Sequence, residues 1–204
     1  MKLNVPFFKQ TTPLNCGPTA LKMALSYLDK EHDIRNLEER TGINKSKGVS
    51  TIQIAIAAAS LNYKTEFYSK HILLDEKNLE LEFYKNYSDV DLEQSKKLVK
   101  KAQINGVKIN ETPLSLKEIL SFVKENSVVI ILVDWNVIKN KRDKGYQGHF
   151  VPIVGYDNGE VYVHNCGLKD GEPFVKIPKE ILDEARKAQG TDEDVIVIYG
   201  NNQS

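Results

Sequence analysis

Residues 10–20 read Gln10-Thr11-Thr12-Pro13-Leu14-Asn15-Cys16-Gly17-Pro18-Thr19-Ala20. Pro18 fits a first helical turn, where its missing N–H would be unpaired anyway. Ala20, Leu21, Ala24, Leu25 and Leu28 then recur at helical spacing, which predicts a helix to about Asp29. Cys16 therefore stands at the positive end of a buried helix, among unpaired backbone N–H groups. That placement favours thiolate over thiol, and the thiolate is the nucleophile. Far downstream the chain reads Gly148-His149-Phe150-Val151-Pro152-Ile153-Val154-Gly155-Tyr156, then Val161-Tyr162-Val163-His164-Asn165. An early cysteine, a late histidine and an Asn after it are the parts of a Cys-His-Asn nucleophilic site.

The bulk numbers narrow the setting. At 204 residues the chain suits one domain, or one domain with an insertion. Its formal net charge is zero, without the basic excess of a nucleic-acid binder. Residues 1–15 hold Lys2, Lys9, Pro6 and Pro13 and no apolar core, unlike a signal peptide. No window approaches the roughly 18 apolar residues that cross a bilayer. A soluble, cytoplasmic protein is expected, without a membrane span. Two cysteines are too few for a disulfide scaffold or a cysteine-based zinc site, although a Cys16–Cys166 bridge is arithmetically possible. No metal site and no cofactor are expected. His32, His71 and His164 are expected to have no catalytic role, and Trp135 to be core or cleft wall.

Helices are expected near residues 37–40, from Ser50 or Thr51 to about Leu61, and from a Ser115 cap with Glu118 at the capping-box position. Residues 72–111 are charged and helical in pattern and read as a helical insertion. Ser127–Trp135 reads as a strand buried on both faces. Residues 136–147 read as a loop bordering the cleft. A hairpin follows across Asp157-Asn158-Gly159, then a helix over 179–187 and a final strand over 195–199. Helices first and strands last argue an α+β fold, with N-terminal helices packed on a C-terminal antiparallel sheet.

The hairpin register decides which groups meet, because side chains alternate faces. A two-residue loop, Asn158-Gly159, puts His149 on one face with His164 and Cys166. A three-residue loop with Gly159 left-handed sets Val151 opposite Asn165 and His149 diagonal to Asn165, with Cys166 pointing away. Diagonal neighbours lie about 7–8 Å apart, within reach of an imidazole and an amide. Pro152 could mark a bulge that resets the parity. The sequence leaves both registers open.

At these residues the chain resembles the papain-like cysteine peptidases of the bacteriocin-processing, double-glycine type, cysteine peptidase family 39, and their stand-alone relatives. The matching residues are Gln10, Asn15-Cys16-Gly17-Pro18-Thr19, Leu116-Lys117-Glu118-Ile119-Leu120, Gly148-His149-Phe150-Val151, Gly155-Tyr156-Asp157 and Val161-Tyr162-Val163-His164-Asn165. The resemblance covers both ends of the chain but not 72–111. It implies one papain-like domain over 1–204, with Cys16 as nucleophile, His149 as base and acid, Asn165 as orienter of the imidazole and Gln10 in the oxyanion hole. It implies a peptide or protein substrate. Two departures stand out: the orienter is more often Asp, and the next residue, here Cys166, is often Pro. The same parts would serve a thiol amidase or transpeptidase of the phytochelatin-synthase type. An inactive peptide-binding module is the reading from another class.

Overall fold

A computed structural model describes residues 1–43, 46–88 and 91–200. The first helix, α1 (Cys16–Leu28), begins at the cysteine. It is followed by α2 (Ile34–Thr41), α3 (Thr51–Ser60) and strand β1 (Thr65–Tyr68). Ser50 starts α3 with its backbone N–H and its hydroxyl each 2.9 Å from Gln53 Oε1. Residues 72–111 are helical through a 3-10 turn (Glu76–Glu80), α4 (Glu82–Tyr87) and α5 (Leu92–Ile104), but end in a strand, β2 (Lys108–Asn110). Next come α6 (Leu116–Ser121), capped by the expected Ser115–Glu118 pair, and β3 (Ser127–Asp134), buried along its whole length. Residues expected as a loop hold a helical turn, α7 (Trp135–Ile138), and a 3-10 turn (Arg142–Lys144). They are tied down by the two-bond Arg142–Glu184 ion pair and by Asn136 Nδ2 donating to the Gly145 carbonyl. The chain closes with β4 (Gly148–Tyr156), β5 (Glu160–Asn165), β6 (Glu172–Pro178), α8 (Lys179–Arg186) and β7 (Val195–Tyr199).

The strands form one sheet in the order β2-β1-β7-β3-β4-β5-β6. Pairing is antiparallel except between β1 and β2. The α+β expectation holds. Helix α1 packs on β3 and β4, which carries its first turn to the start of β4. Gly17 lets α1 approach α3 on its other side: a Cβ there would sit 2.7 Å from Val49 Cγ2 and 2.8 Å from Ile54 Cδ1. A larger residue beside Cys16 would push α1 off α3.

Both hairpin registers are present, one at each end. Near the turn Tyr156 faces Val161 and Gly155 faces Tyr162, which is the two-residue-loop pairing. Gly159 is not left-handed, and Asp157 Oδ1 accepts from the N–H groups of Gly159 and Glu160 at 2.9 Å each. Past a bulge, Ile153 faces Val163, which is the three-residue-loop pairing. Val154 is the extra residue on β4. The first residues of the chain hold the bulge: Leu3 N–H donates to the Val154 carbonyl at 2.7 Å, and Tyr156 N–H to the Met1 carbonyl at 2.9 Å.

Gly155 is where that backbone approach is closest. A Cβ there would lie 2.6 Å from the Met1 carbonyl oxygen and 2.9 Å from Lys2 Cα. Gly155→Ala should therefore destabilise the fold by about 1–3 kcal/mol. Gly159→Ala, where nothing lies within 4 Å, should be near neutral. Thermal denaturation of the two variants checks the difference, and equal midpoints would refute the role given to the N-terminal contact.

Candidate functional site

The turn before α1 is braced from within. Asn15 Oδ1 accepts from the backbone N–H groups of Thr11 and Thr12 at 3.1 Å each. Asn15 Nδ2 donates to Thr11 Oγ1 at 2.9 Å and to Glu38 Oε1 at 2.7 Å. Turned back into the loop, this side chain does not cap α1. The first N–H groups of the helix are left for a ligand in the cleft. The same loop places Gln10, which is buried; its Nε2 donates to the Thr12 carbonyl at 2.8 Å.

His149 opens β4 opposite Val133. Its Nε2 lies 3.0 Å from Asn165 Oδ1. Asn165 is itself fixed: Nδ2 donates to the Asp170 carbonyl at 2.8 Å, and Oδ1 accepts from Gly167 N–H at 2.9 Å. An oxygen is thus presented to the imidazole, so Nε2 carries the proton and Nδ1 holds the free lone pair. Nδ1 has no hydrogen-bond partner among the described residues. The Trp135 ring covers the imidazole, with centroids 5.1 Å apart. Cys16, His149, Asn165 and Gln10 all line one cleft of about 980 Å³.

Protonation differs from the expectation. Burial pushes the Cys16 thiol up, against backbone N–H groups of Phe150, Gly17 and Cys16 that favour the thiolate. Burial also lowers His149 to about 4, opposed by the Asn165 hydrogen bond and the Asp170 carboxylate. The resting pair is neutral thiol and neutral imidazole. A helix N-terminus stabilises a thiolate only in part, and here desolvation outweighs it.

Cys166 corrects a second expectation. It is fully buried, yet does not point away from the imidazole: its Sγ lies 3.9 Å from His149 Nε2 and 3.6 Å from Gln10 Oε1. His164 is structural. It bonds the Val5 carbonyl through Nε2 at 2.9 Å and accepts from Phe174 N–H through Nδ1 at 3.1 Å.

Asp170 and Lys139 were not singled out from the sequence. They form an ion pair beside the imidazole, and the Asp170 carboxylate acts on His149 as described. Both stand in irregular segments, where spacing carries no signal. His71, Asp192 and Asp194 also line the cleft, and burial raises Asp194 to about 8. Among the described residues, His71, Asp75 and Asp192 have donor atoms within 4.8 Å of one another, close enough to hold an ion. No helix among the described residues is long and apolar enough to cross a membrane.

The family model described as guanylylate cyclase matches residues 5–198. The chain belongs to the guanylylate cyclase family. One relative, Guanylyl cyclase 1 of Arabidopsis thaliana, is 25% identical over 98% of this chain and 77% of its own length. Solved structures give the fold. A putative C39-like peptidase from Bacillus anthracis superposes with a TM-score of 0.61 at 20% identity, covering 98% of each chain. The peptidase domain of Streptococcus ComA, a bi-functional ABC transporter, gives 0.53 at 16% identity over 97% of this chain and 100% of that one. A double glycine motif protease from an AMS/PCAT transporter, in complex with the leader peptide, gives 0.54 at 16% identity, over 98% and 94%. This family member therefore has the papain-like α+β fold of the C39-type peptidases.

With a neutral resting pair, alkylation of Cys16 by iodoacetamide should be slow below pH 7. It should rise with pH through and beyond the free-thiol range near about 8.5. The rate–pH profile of the free protein checks this, and a fast plateau at pH 5–6 would mean that a thiolate–imidazolium pair forms.

Proposed function

We propose that this protein is a cysteine hydrolase acting on peptide amides. The observation that carries the reading is the His149–Asn165 bond, which frees Nδ1 as a base in the cleft that holds Cys16. Cys16 Sγ attacks the amide carbonyl carbon while its proton passes to His149 Nδ1. No preformed ion pair is needed, because proton transfer accompanies attack. The oxyanion is held by Gln10 Nε2–H and the uncapped backbone N–H of Cys16; one such donor is worth roughly 100–1000-fold in rate. His149 Nδ1–H then protonates the leaving amine as the C–N bond breaks. Water, losing its proton to Nδ1, hydrolyses the thioester and frees the Cys16 thiol. Asn165 acts only as orienter. The protease that carries its leader peptide supports an extended peptide as substrate class. Residues 72–111 would shape selectivity, since Phe83, Tyr84 and Tyr87 line the same cleft. A transpeptidase or amidase would use the same steps with another acceptor or a smaller amide.

Family membership favours a second reading, cyclisation of GTP. There the ribose 3′-hydroxyl attacks the α-phosphorus, pyrophosphate leaves, and a base takes the hydroxyl proton. His149 could serve as that base. His71, Asp75 and Asp192 are the residues that would hold a divalent cation, which would offset triphosphate charge. This reading ranks second because it leaves Cys16 and Gln10 without a task.

One set of assays separates the two. Purified protein is offered a diverse peptide library, and separately GTP with manganese or magnesium, with products identified by mass spectrometry. On the first reading wild type cleaves peptides, Cys16→Ala abolishes cleavage and His149→Ala is nearly as severe, because nucleophile and base act as a unit. Cyclic GMP formed equally well by wild type and Cys16→Ala, with no peptide cleaved, would replace the first reading by the second. The pH profile adds a check. Protonation of His149 removes the base, so hydrolysis should persist to about pH 5 and fall as pH drops through about 4. An acid limb near pH 6.5 would show an imidazole of ordinary basicity.

A further inference from the structure

Cys166 has no task in the steps above, yet it touches the side chain assigned to the oxyanion. It follows Asn165 at the end of β5 and is fully buried. Two contacts tie it to Gln10. Gln10 backbone N–H donates to the Cys166 carbonyl at 2.8 Å. The Cys166 thiol donates to Gln10 Oε1 across 3.6 Å. Other acceptors lie farther from the sulfur: the Cys16 carbonyl at 3.8 Å and the Phe150 carbonyl at 4.0 Å. His149 Nε2, at 3.9 Å, does not compete, because its proton is given to Asn165.

A carboxamide has two orientations of nearly equal shape, and its neighbours choose between them. Here Nε2 faces the Thr12 carbonyl and Oε1 faces the Cys166 thiol. The flipped amide would set Oε1 against the Thr12 carbonyl, acceptor against acceptor, and leave the thiol proton without its nearest partner. In the observed orientation one Nε2 hydrogen is committed to Thr12. The other has no partner among the described residues.

We propose that Cys166 is a positioning residue whose thiol, together with the Thr12 carbonyl, fixes the orientation of the Gln10 amide, so that Nε2–H is held for the oxyanion. The proposal rests on the hydrolase reading for its consequence and on the Gln10 contacts for its geometry. Burial keeps Cys166 well above the ordinary thiol range, so the proton needed for donation stays on sulfur. The residue often found at this position in the family that the sequence resembles, Pro, has no proton to give.

The test is a double-mutant cycle on peptide hydrolysis with a structural readout beside it. Cys166→Val removes the donor at similar size, Cys166→Ala removes it with a small cavity, and Cys166→Ser keeps a donor. Val and Ala should each lower kcat roughly tenfold, part of what an oxyanion donor is worth, with KM nearly unchanged. Ser should restore most of the loss. In a Gln10→Ala background the same changes at Cys166 should have little further effect. Losses that multiply independently, or a Ser variant no better than Val, would overturn the proposal. The second readout needs no turnover. The Gln10 side-chain amide signals, assigned by their loss in Gln10→Ala, should show NOEs to Thr12 in wild type and in Cys166→Ser. In Cys166→Val they should broaden or lose those NOEs as the amide samples both orientations. Unchanged signals in the Val variant would refute the positioning role even if the protein cleaves peptides. A lost orientation in a protein without peptidase activity would uphold it and sink the hydrolase reading alone.

Discussion

The hydrogen bond from His149 Nε2 to Asn165 Oδ1 depends on β4 carrying one residue more than β5. Without Val154 as the extra residue, the pairing set by the Asp157–Glu160 turn would run unbroken along the hairpin. It would put His149 on the face of His164 and turn Asn165 to the other side. The bulge exchanges those faces within one hairpin. It is held by residues 1–3, whose backbone bonds to Val154 and Tyr156 extend the other edge of β4 past its last pair with β3, Val129–Ile153. The site thus depends on a contact between the first residues of the chain and a strand that starts near residue 148.

The protonation state follows from how the site is enclosed. Trp135 lies against the imidazole, Gln10 and Cys166 close the side behind it, and Asp170 is shared with Lys139. An isolated Asp170 carboxylate would raise His149 further; paired with Lys139 it does so less, and burial prevails. Asn165 adds a dipole but no charge. The result is an imidazole that is neutral at physiological pH. On the proposed hydrolase reading, an imidazolium formed during catalysis would be stabilised by the substrate-bound site rather than by a fixed counter-ion.

Much of the frame was legible in the chain. The α1 pattern, the Ser115–Glu118 capping box, the unbroken apolar run of β3 and the Asp157–Gly159 turn are local signals, and each led to its element. Strand β6 was missed because Pro173 and the charged Glu172 and Lys176 suit an edge strand but disguise its pattern. Strand β2, three residues long, owes its place to pairing with β1 rather than to its own sequence. The register could be narrowed to two alternatives but not chosen, since the N-terminal contact that decides it is long-range. The thiolate expectation failed for the same kind of reason. Helix polarity can be read from residues 16–28, whereas desolvation by β4, β5 and Trp135 cannot.

The cyclisation named by the family and the proposed amide hydrolysis make different demands on the site. The proposed nucleophile Cys16, base His149, orienter Asn165 and amide donor Gln10 form a set that would serve acyl transfer; phosphoryl cyclisation would have use only for the base. Conversely, the His71–Asp75–Asp192 group, of which His71 and Asp192 line the same cleft, has no part in the proposed acyl transfer. A shared fold with peptidases does not by itself assign the chemistry. A metal-assisted cyclisation would place no demand on the residue behind Gln10, whereas acyl transfer requires the Gln10 amide to present nitrogen and not oxygen. The Thr12 carbonyl at Nε2 and the Cys166 thiol at Oε1 both favour the amide direction that the proposed acyl transfer would need.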